Sequence, residues 1–134
     1  MGFTHSDAIE VRRIKGKGRG VFARRLIRKG EVVERVPVLV LPISVLVNSE
    51  SEDSHLSHYG FAWGREKVAV ALGYGSLYNH SYSPNARYDD TGRQTKLFTA
   101  IRNIAPGEEI TINYNGGPRR RAPVWFDVVE TANP

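Results

Sequence analysis

The sequence predicts a single, mainly β domain, and three observations carry that prediction. Turn signals recur at short spacing: Gly16 to Gly20, Lys29-Gly30, Pro42, Gly73 to Gly75, Asp90-Thr91-Gly92 and Pro106-Gly107. Between them lie short runs rich in Val, Ile, Phe and Tyr. Only two stretches are candidates for helix, Ser44 to Trp63 and Tyr74 to Asn79. A chain of 134 residues has room for one core.

Taken in order, the runs Ile9 to Ile14, Gly20 to Ala23, Glu31 to Leu41 and Lys67 to Leu72 read as strands. Ala86 to Asp89, Leu97 to Arg102 and Ile110 to Tyr114 complete the set. Their β-branched and aromatic side chains suit a pleated, half-buried surface. Asp90 to Gln94 resembles a hairpin loop, with Gly92 free to take a positive φ. Ser44 to Trp63 begins polar and serine-rich and turns apolar at Leu56, Tyr59 and Phe61. Tyr74 to Asn79 reads as one short helical turn. The expected layout is a flexible N-terminus over residues 1–8, one domain over 9–116 and a short C-terminal segment over 117–134.

Composition narrows the function classes. Hydrophobic residues at 40% and charged residues at 25% argue against a wholly disordered chain. The chain has no Cys, which removes disulfides and thiolate metal ligands. Of its four His residues, only His55 and His58 stand near ligand spacing, a weak zinc signal, so no metal is expected. The most apolar run, Val36 to Val47, is too short to span a bilayer and holds Pro37 and Pro42. The first residues do not read as a signal peptide. The expected location is therefore intracellular: cytoplasmic, nuclear or nucleoid-associated, and neither membrane-bound nor secreted. A net charge of +5, clustered at Arg12-Arg13, Lys15 to Arg19, Arg24-Arg25 and Arg119 to Arg121, admits an acidic partner. A solvated basic surface explains the same clusters, and nucleic acid is expected only indirectly.

Three segments carry chemistry. In KGKGRGVFA, Lys15 to Ala23, the glycines at 16, 18 and 20 let the backbone turn tightly and approach a ligand without a Cβ in the way. A plain hairpin turn reads equally well. In GYGSLYNHSYSPN, Gly73 to Asn85, Asn79 and His80 set an amide beside an imidazole, a pair suited to a purine edge. An Asx or Ser turn is the alternative. In PGEEITINY, Pro106 to Tyr114, a Pro-Gly turn feeds a strand ending in Tyr, which alone reads as a packing residue.

The ordered set resembles the SET domain of protein lysine methyltransferases. Its motifs stand here as Gly18-Arg19-Gly20-Val21-Phe22-Ala23, Asn79-His80-Ser81-Tyr82-Ser83-Pro84-Asn85 and Gly107-Glu108-Glu109-Ile110-Thr111-Ile112-Asn113-Tyr114. With Ala71-Leu72-Gly73-Tyr74-Gly75 leading into the second motif, the likeness is greatest to the minimal viral and bacterial members, which lack cysteine-rich flanks. The resemblance implies a β-clip of small curved sheets with little helix. It also implies a C-terminal pseudo-knot, an exception to un-knotted topology, that brings Asn79 and His80 beside Tyr114.

The resemblance also implies the chemistry. The cofactor would be S-adenosyl-L-methionine and the substrate a lysine in a protein, histone-like or otherwise basic. Tyr114 and Tyr59 match active-site tyrosines. Lys17, Gly18, Arg19, Gly20, Asn79, His80, Tyr114 and Trp125 (or Phe126) would bind the cofactor. Tyr59, Tyr88 and Ile112 would line the lysine channel. Tyr82 stands where many relatives have Cys, and Asn113 where Asp is common. Glu50, Glu52 and Asp53 fall in a variable insert bordering the substrate groove, where they would attract a basic tail or simply be solvated. Minimal members dimerise, so a homodimer is expected. Two other functions fit the composition: a non-catalytic interaction module of the same fold, and a nucleic-acid-binding β module built on Arg119 to Arg121.

Overall fold

The computed structural model describes residues 2–16, 18–45, 59–119 and 121. Among these described residues nine strands follow in chain order: β1 (Ile9–Ile14), β2 (Gly18–Ala23), β3 (Val32–Pro42), β4 (Gly60–Ala62), β5 (Lys67–Ala71), β6 (Asn79–His80), β7 (Ala86–Thr91), β8 (Thr95–Ala100) and β9 (Glu109–Ile112). They form two sheets, a four-stranded one ordered β1-β2-β9-β6 and a five-stranded one ordered β4-β5-β3-β8-β7. Every named pairing is antiparallel except β6 with β9. The seven expected strands are present with ends shifted by a few residues, as fraying and pairing dictate.

Three local expectations are corrected. Of the Ser44–Trp63 stretch, residues 46–58 lie outside the described residues. Of the rest, Ser44 and Val45 close a 3-10 turn that begins at Ile43, Tyr59 is in 3-10 conformation, and Gly60–Ala62 is not helical but pairs with β5 as an edge strand. Leu56 lies outside the described residues, while Tyr59 immediately precedes β4. Tyr74 to Asn79 is not a helical turn but a pair of tight turns, closed by Gly75 N–H to Leu72 O at 3.0 Å and Leu77 N–H to Tyr74 O at 2.9 Å. The β7–β8 loop is shorter than expected, and its positive φ angles fall on Arg93 and Gln94 rather than Gly92. The Thr91–Thr95 pair, reinforced by Thr95 Oγ1 to Arg93 O at 3.1 Å, sets that geometry whatever glycine would permit.

One core lies between the sheets. It collects Val21, Ala23, Ile110 and Ile112 from the first sheet with Val33, Val36, Ala69, Ala71, Phe98 and Ala100 from the second, and Tyr78 from the segment between. Ala8, ahead of β1, is buried too, and its carbonyl accepts a bond from Arg24 N–H at 2.7 Å. Among the described residues no helix is long and apolar enough to cross a membrane. Among them, too, no group of three or more His, Asp or Glu side chains is placed to hold a metal.

Candidate active site

The parallel pairing of β6 with β9 sets Asn79 opposite Thr111 and His80 opposite Ile112. A two-residue strand cannot hold itself, so side chains complete the attachment. The Asn79 amide donates to Arg19 O at 2.7 Å and to Glu109 Oε2 at 2.8 Å. One side chain thus ties the glycine turn to the Gly-Glu-Glu strand. Both of its amide hydrogens are committed, so any side-chain bond from Asn79 to a ligand must use Oδ1.

The glycines serve two different needs. A Cβ on Gly20 would lie 2.5 Å from Ile14 Cδ1, 2.6 Å from Glu109 Oε2 and 2.8 Å from Asn79 Nδ2. Gly20 is therefore required by the protein's own packing. Gly18 has φ at 80° and open space where a Cβ would stand, which leaves its backbone accessible to a ligand.

Behind these residues lies a buried polar frame. Asn85 is 0% exposed and donates to Glu109 O at 2.7 Å and Glu108 Oε2 at 3.1 Å, while its Oδ1 accepts from Thr111 N–H at 2.9 Å. Glu108 also accepts from Ala105 N–H at 3.0 Å and from Arg102 at 3.3 Å. The two carboxylates of the third motif are therefore answered by the two asparagines of the second. Buried polar groups of this kind need every partner they have.

Tyr114 stands two residues beyond the end of β9. Its N–H donates to His80 Nδ1 at 3.0 Å, and its hydroxyl donates to Tyr78 O at 2.6 Å. The first bond requires an unprotonated Nδ1, so the neutral imidazole carries its proton on Nε2. The His80 ring meets Tyr82 edge-on at 4.5 Å and tilts against Tyr114 at 5.2 Å. Burial pushes the Tyr114 phenol well above its ordinary range, and Glu109, Tyr59 and Tyr88 add to the rise. Tyr114 therefore keeps its proton and acts as a hydrogen-bond donor, not as a base.

Tyr88 closes the other side, with its hydroxyl 3.4 Å from Tyr114 O. Its ring packs edge-on against Phe61 at 5.1 Å and carries Lys96 Nζ 4.3 Å from its centroid. Lys96 is 0% exposed, 3.9 Å from the Phe61 centroid and 5.8 Å from that of Trp63, and is paired with Asp90 at 2.6 Å. Desolvation lowers the Lys96 pKa, and Asp90 opposes that shift. The rings holding Tyr88 thus already stabilise one ammonium through their faces.

Of the residues singled out in the sequence, Tyr59, Tyr88, Asn79, His80 and Tyr114 converge, together with the backbone of Gly18 to Gly20. Arg19 is exposed and contributes its carbonyl. Ile112 is fully buried in the core, behind the site rather than open to it. Lys17, Trp125, Phe126, His55, His58 and the cluster Glu50, Glu52 and Asp53 lie outside the described residues. Sequence reasoning missed Tyr78, Asn85, Glu108, Glu109 and Lys96 as parts of the assembly. The first four lie inside the quoted segments, whereas nothing in TKLFTA marks Lys96 as buried.

Comparison with known proteins points to one family. Residues 18–115 match the SET domain family. A histone-lysine N-methyltransferase of Schizosaccharomyces pombe, specific for H3 lysine-37, is 32% identical over 125 residues, spanning 89% of this chain and 77% of that protein. A crystal structure of a Plasmodium falciparum protein assigned as a histone methyltransferase superposes with a TM-score of 0.66 at 28% identity, covering 84% of this chain and 95% of the other. With the glycine turn, the Asn-His pair and the tyrosine drawn into one place and the match spanning most of its length, the chain belongs to the SET-domain family.

Proposed function

We propose that this chain methylates a lysine side chain of a histone or another basic protein, with S-adenosyl-L-methionine as methyl donor. The chain is an enzyme of the protein-lysine N-methyltransferase class, as its family and its Schizosaccharomyces pombe relative indicate. The observation that carries the reading is the protonated Tyr114 phenol beside the glycine turn, its hydroxyl donating to the Tyr78 carbonyl while His80 holds the Tyr114 backbone N–H.

The residues present suit such a cofactor. The accessible backbone at Gly18, the Asn79 Oδ1 acceptor and the edge-on His80 and Tyr82 rings can hold its methionine and adenine ends. Lys17 and Trp125 are assigned to the same ligand by their likeness to the family pattern. The carbonyls of Arg19 and Tyr78 and the buried Glu109 make the surroundings favourable to a cation. When bound, S-adenosylmethionine supplies an electrophilic methyl carbon on a positively charged sulfur.

The target lysine must reach that carbon as a free amine, which costs about 4–5 kcal/mol at neutral pH for an unperturbed lysine. A channel of Tyr59 and Tyr88, backed by Ile112, lowers that cost by desolvating the ammonium. Tyr114 and Tyr88 orient the amine, and alignment of this kind accounts for much of the acceleration.

Calorimetry with S-adenosylmethionine, followed by methyl transfer to histones and basic ribosomal proteins, tests the proposal. Binding is expected, with Tyr114→Phe slowing transfer by roughly 10²-fold while binding persists. A folded sample that does not bind would instead mark a non-catalytic module.

A further inference from the structure

The SET assignment leaves one buried acid unexplained. Glu34 on β3 is 6% exposed, although strand alternation should turn it outward once Val33 faces the core. The pairing of β3 with β8 explains the exception. The register shifts between Val32 and Glu34, so a bulge turns two successive side chains, Val33 and Glu34, inward. Bulges commonly re-aim a side chain beside a functional site.

Each Glu34 oxygen has a donor. Oε2 accepts from Tyr74 N–H at 2.9 Å and Oε1 from the Tyr78 hydroxyl at 2.8 Å. The turn between β5 and β6 wraps tightly on the carboxylate: a Cβ on Gly73, whose φ is 59°, would lie 2.7 Å from Glu34 Oε2. The Tyr78 ring stacks on Phe98 at 4.4 Å, and its carbonyl receives the Tyr114 hydroxyl at 2.6 Å. No salt bridge to Glu34 is found among the described residues, so this carboxylate is costly to bury and holds its place through two hydrogen bonds.

We propose that Glu34 and Tyr78 form a buried brace that fixes the Tyr78 carbonyl and thereby aims the Tyr114 hydroxyl, making both of them positioning residues for methyl transfer. The inference rests on the reading of Tyr114 given above. Glu34 anchors the turn at two points four residues apart, Tyr74 and Tyr78. The peptide that follows carries both the acceptor for Tyr114 and the Asn79-His80 pair. A tilt there would displace the acceptor of the phenol together with the Asn79-His80 pair, and a 1 Å misplacement of reacting groups can cost about 10²-fold.

Tyr78→Phe removes only the hydroxyl, keeping the stacked ring and the carbonyl. It should lower kcat about tenfold or more with little change in S-adenosylmethionine affinity or peptide KM. Glu34→Gln, which keeps an acceptor for Tyr74 N–H and offers an N–H to the Tyr78 oxygen, should retain most of kcat. In a Tyr114→Phe background the Tyr78→Phe loss should shrink to within about twofold, because the two changes act on one contact. A readout independent of turnover accompanies these: the Tyr114 Cζ resonance of 13C-tyrosine-labelled protein should move in Tyr78→Phe. Unchanged kcat, an equal loss in both backgrounds or an unmoved Tyr114 resonance would each overturn the brace. A moved resonance in a protein that methylates nothing would uphold the brace and overturn the methyltransferase reading instead.

Discussion

The two sheets hold their shares of the site by opposite means. On the four-stranded sheet and in the loops beside it, Asn79, Asn85, Glu108 and Glu109 are placed by hydrogen bonds of 2.7 to 3.1 Å between segments far apart in the chain. On and beside the five-stranded sheet Phe61, Trp63 and Tyr88 pack around the cation Lys96, with Phe98 against Tyr88. A polar frame fails when one member is removed, because each partner is then buried without a bond. A packed frame tolerates change that keeps volume. The side holding the glycine turn and the Asn-His pair is therefore the more brittle.

Breaking the polar frame should have the largest effect. Asn85→Ala strands Thr111 N–H, Glu109 O and one contact of Glu108, and should cost about 3 kcal/mol or more. The urea midpoint of the variant against the parent measures this. A cost under about 1 kcal/mol would show that the frame relaxes. Next comes Gly20→Ala, where the added methyl meets three side chains, Ile14, Asn79 and the buried Glu109. Overpacking should cost about 1–3 kcal/mol, and displacement of Asn79 should weaken cofactor binding in the same sample. Unaltered binding would separate the glycine's packing role from its ligand role.

Lys96→Met should move stability least, within about 1 kcal/mol in either direction, because a buried ion pair is often replaceable by a packed apolar residue. Its pH signature sharpens the comparison. The Lys96 pKa is lowered on folding, so the unfolded chain holds that proton to higher pH than the folded one. Stability should rise with pH from the lowered value towards about 10.4, where free lysine titrates. Tyr78, Tyr88 and Tyr114 work the other way, since their raised values make folding less favourable as unfolded tyrosines ionise above about pH 10. The difference between parent and Lys96→Met isolates the lysine's share, and parallel pH profiles would remove it. Glu34 has the opposite slope in acid. Its value is raised by burial, so its contribution is complete below about pH 4.3 and fades as pH rises through the folded value.

Much of this was legible in the chain. Strands of four residues or more announced themselves through runs of Val, Ile, Phe and Tyr between turn signals, as at β3 and β9. The strands β4 and β6, with three and two residues, are too short to show a period. They exist because β5 and β9 offer them an edge to pair with. Gly92 misled for a related reason: glycine permits a positive φ but does not demand one, and the hairpin's pairing placed it elsewhere.

The sequence by itself determined the mainly β class, the three motifs and the identities of Asn79, His80 and Tyr114, since each depends on residue type and local order. Only the tertiary structure decided that Glu34 and Lys96 are buried, that Asn79 spends both amide hydrogens within the protein, and that Tyr78 links β3 to Tyr114. Alternation along a strand says which face a side chain takes, while a bulge or a neighbouring ring decides what lies over that face. Those terms come from residues tens of positions away, and no local pattern contains them.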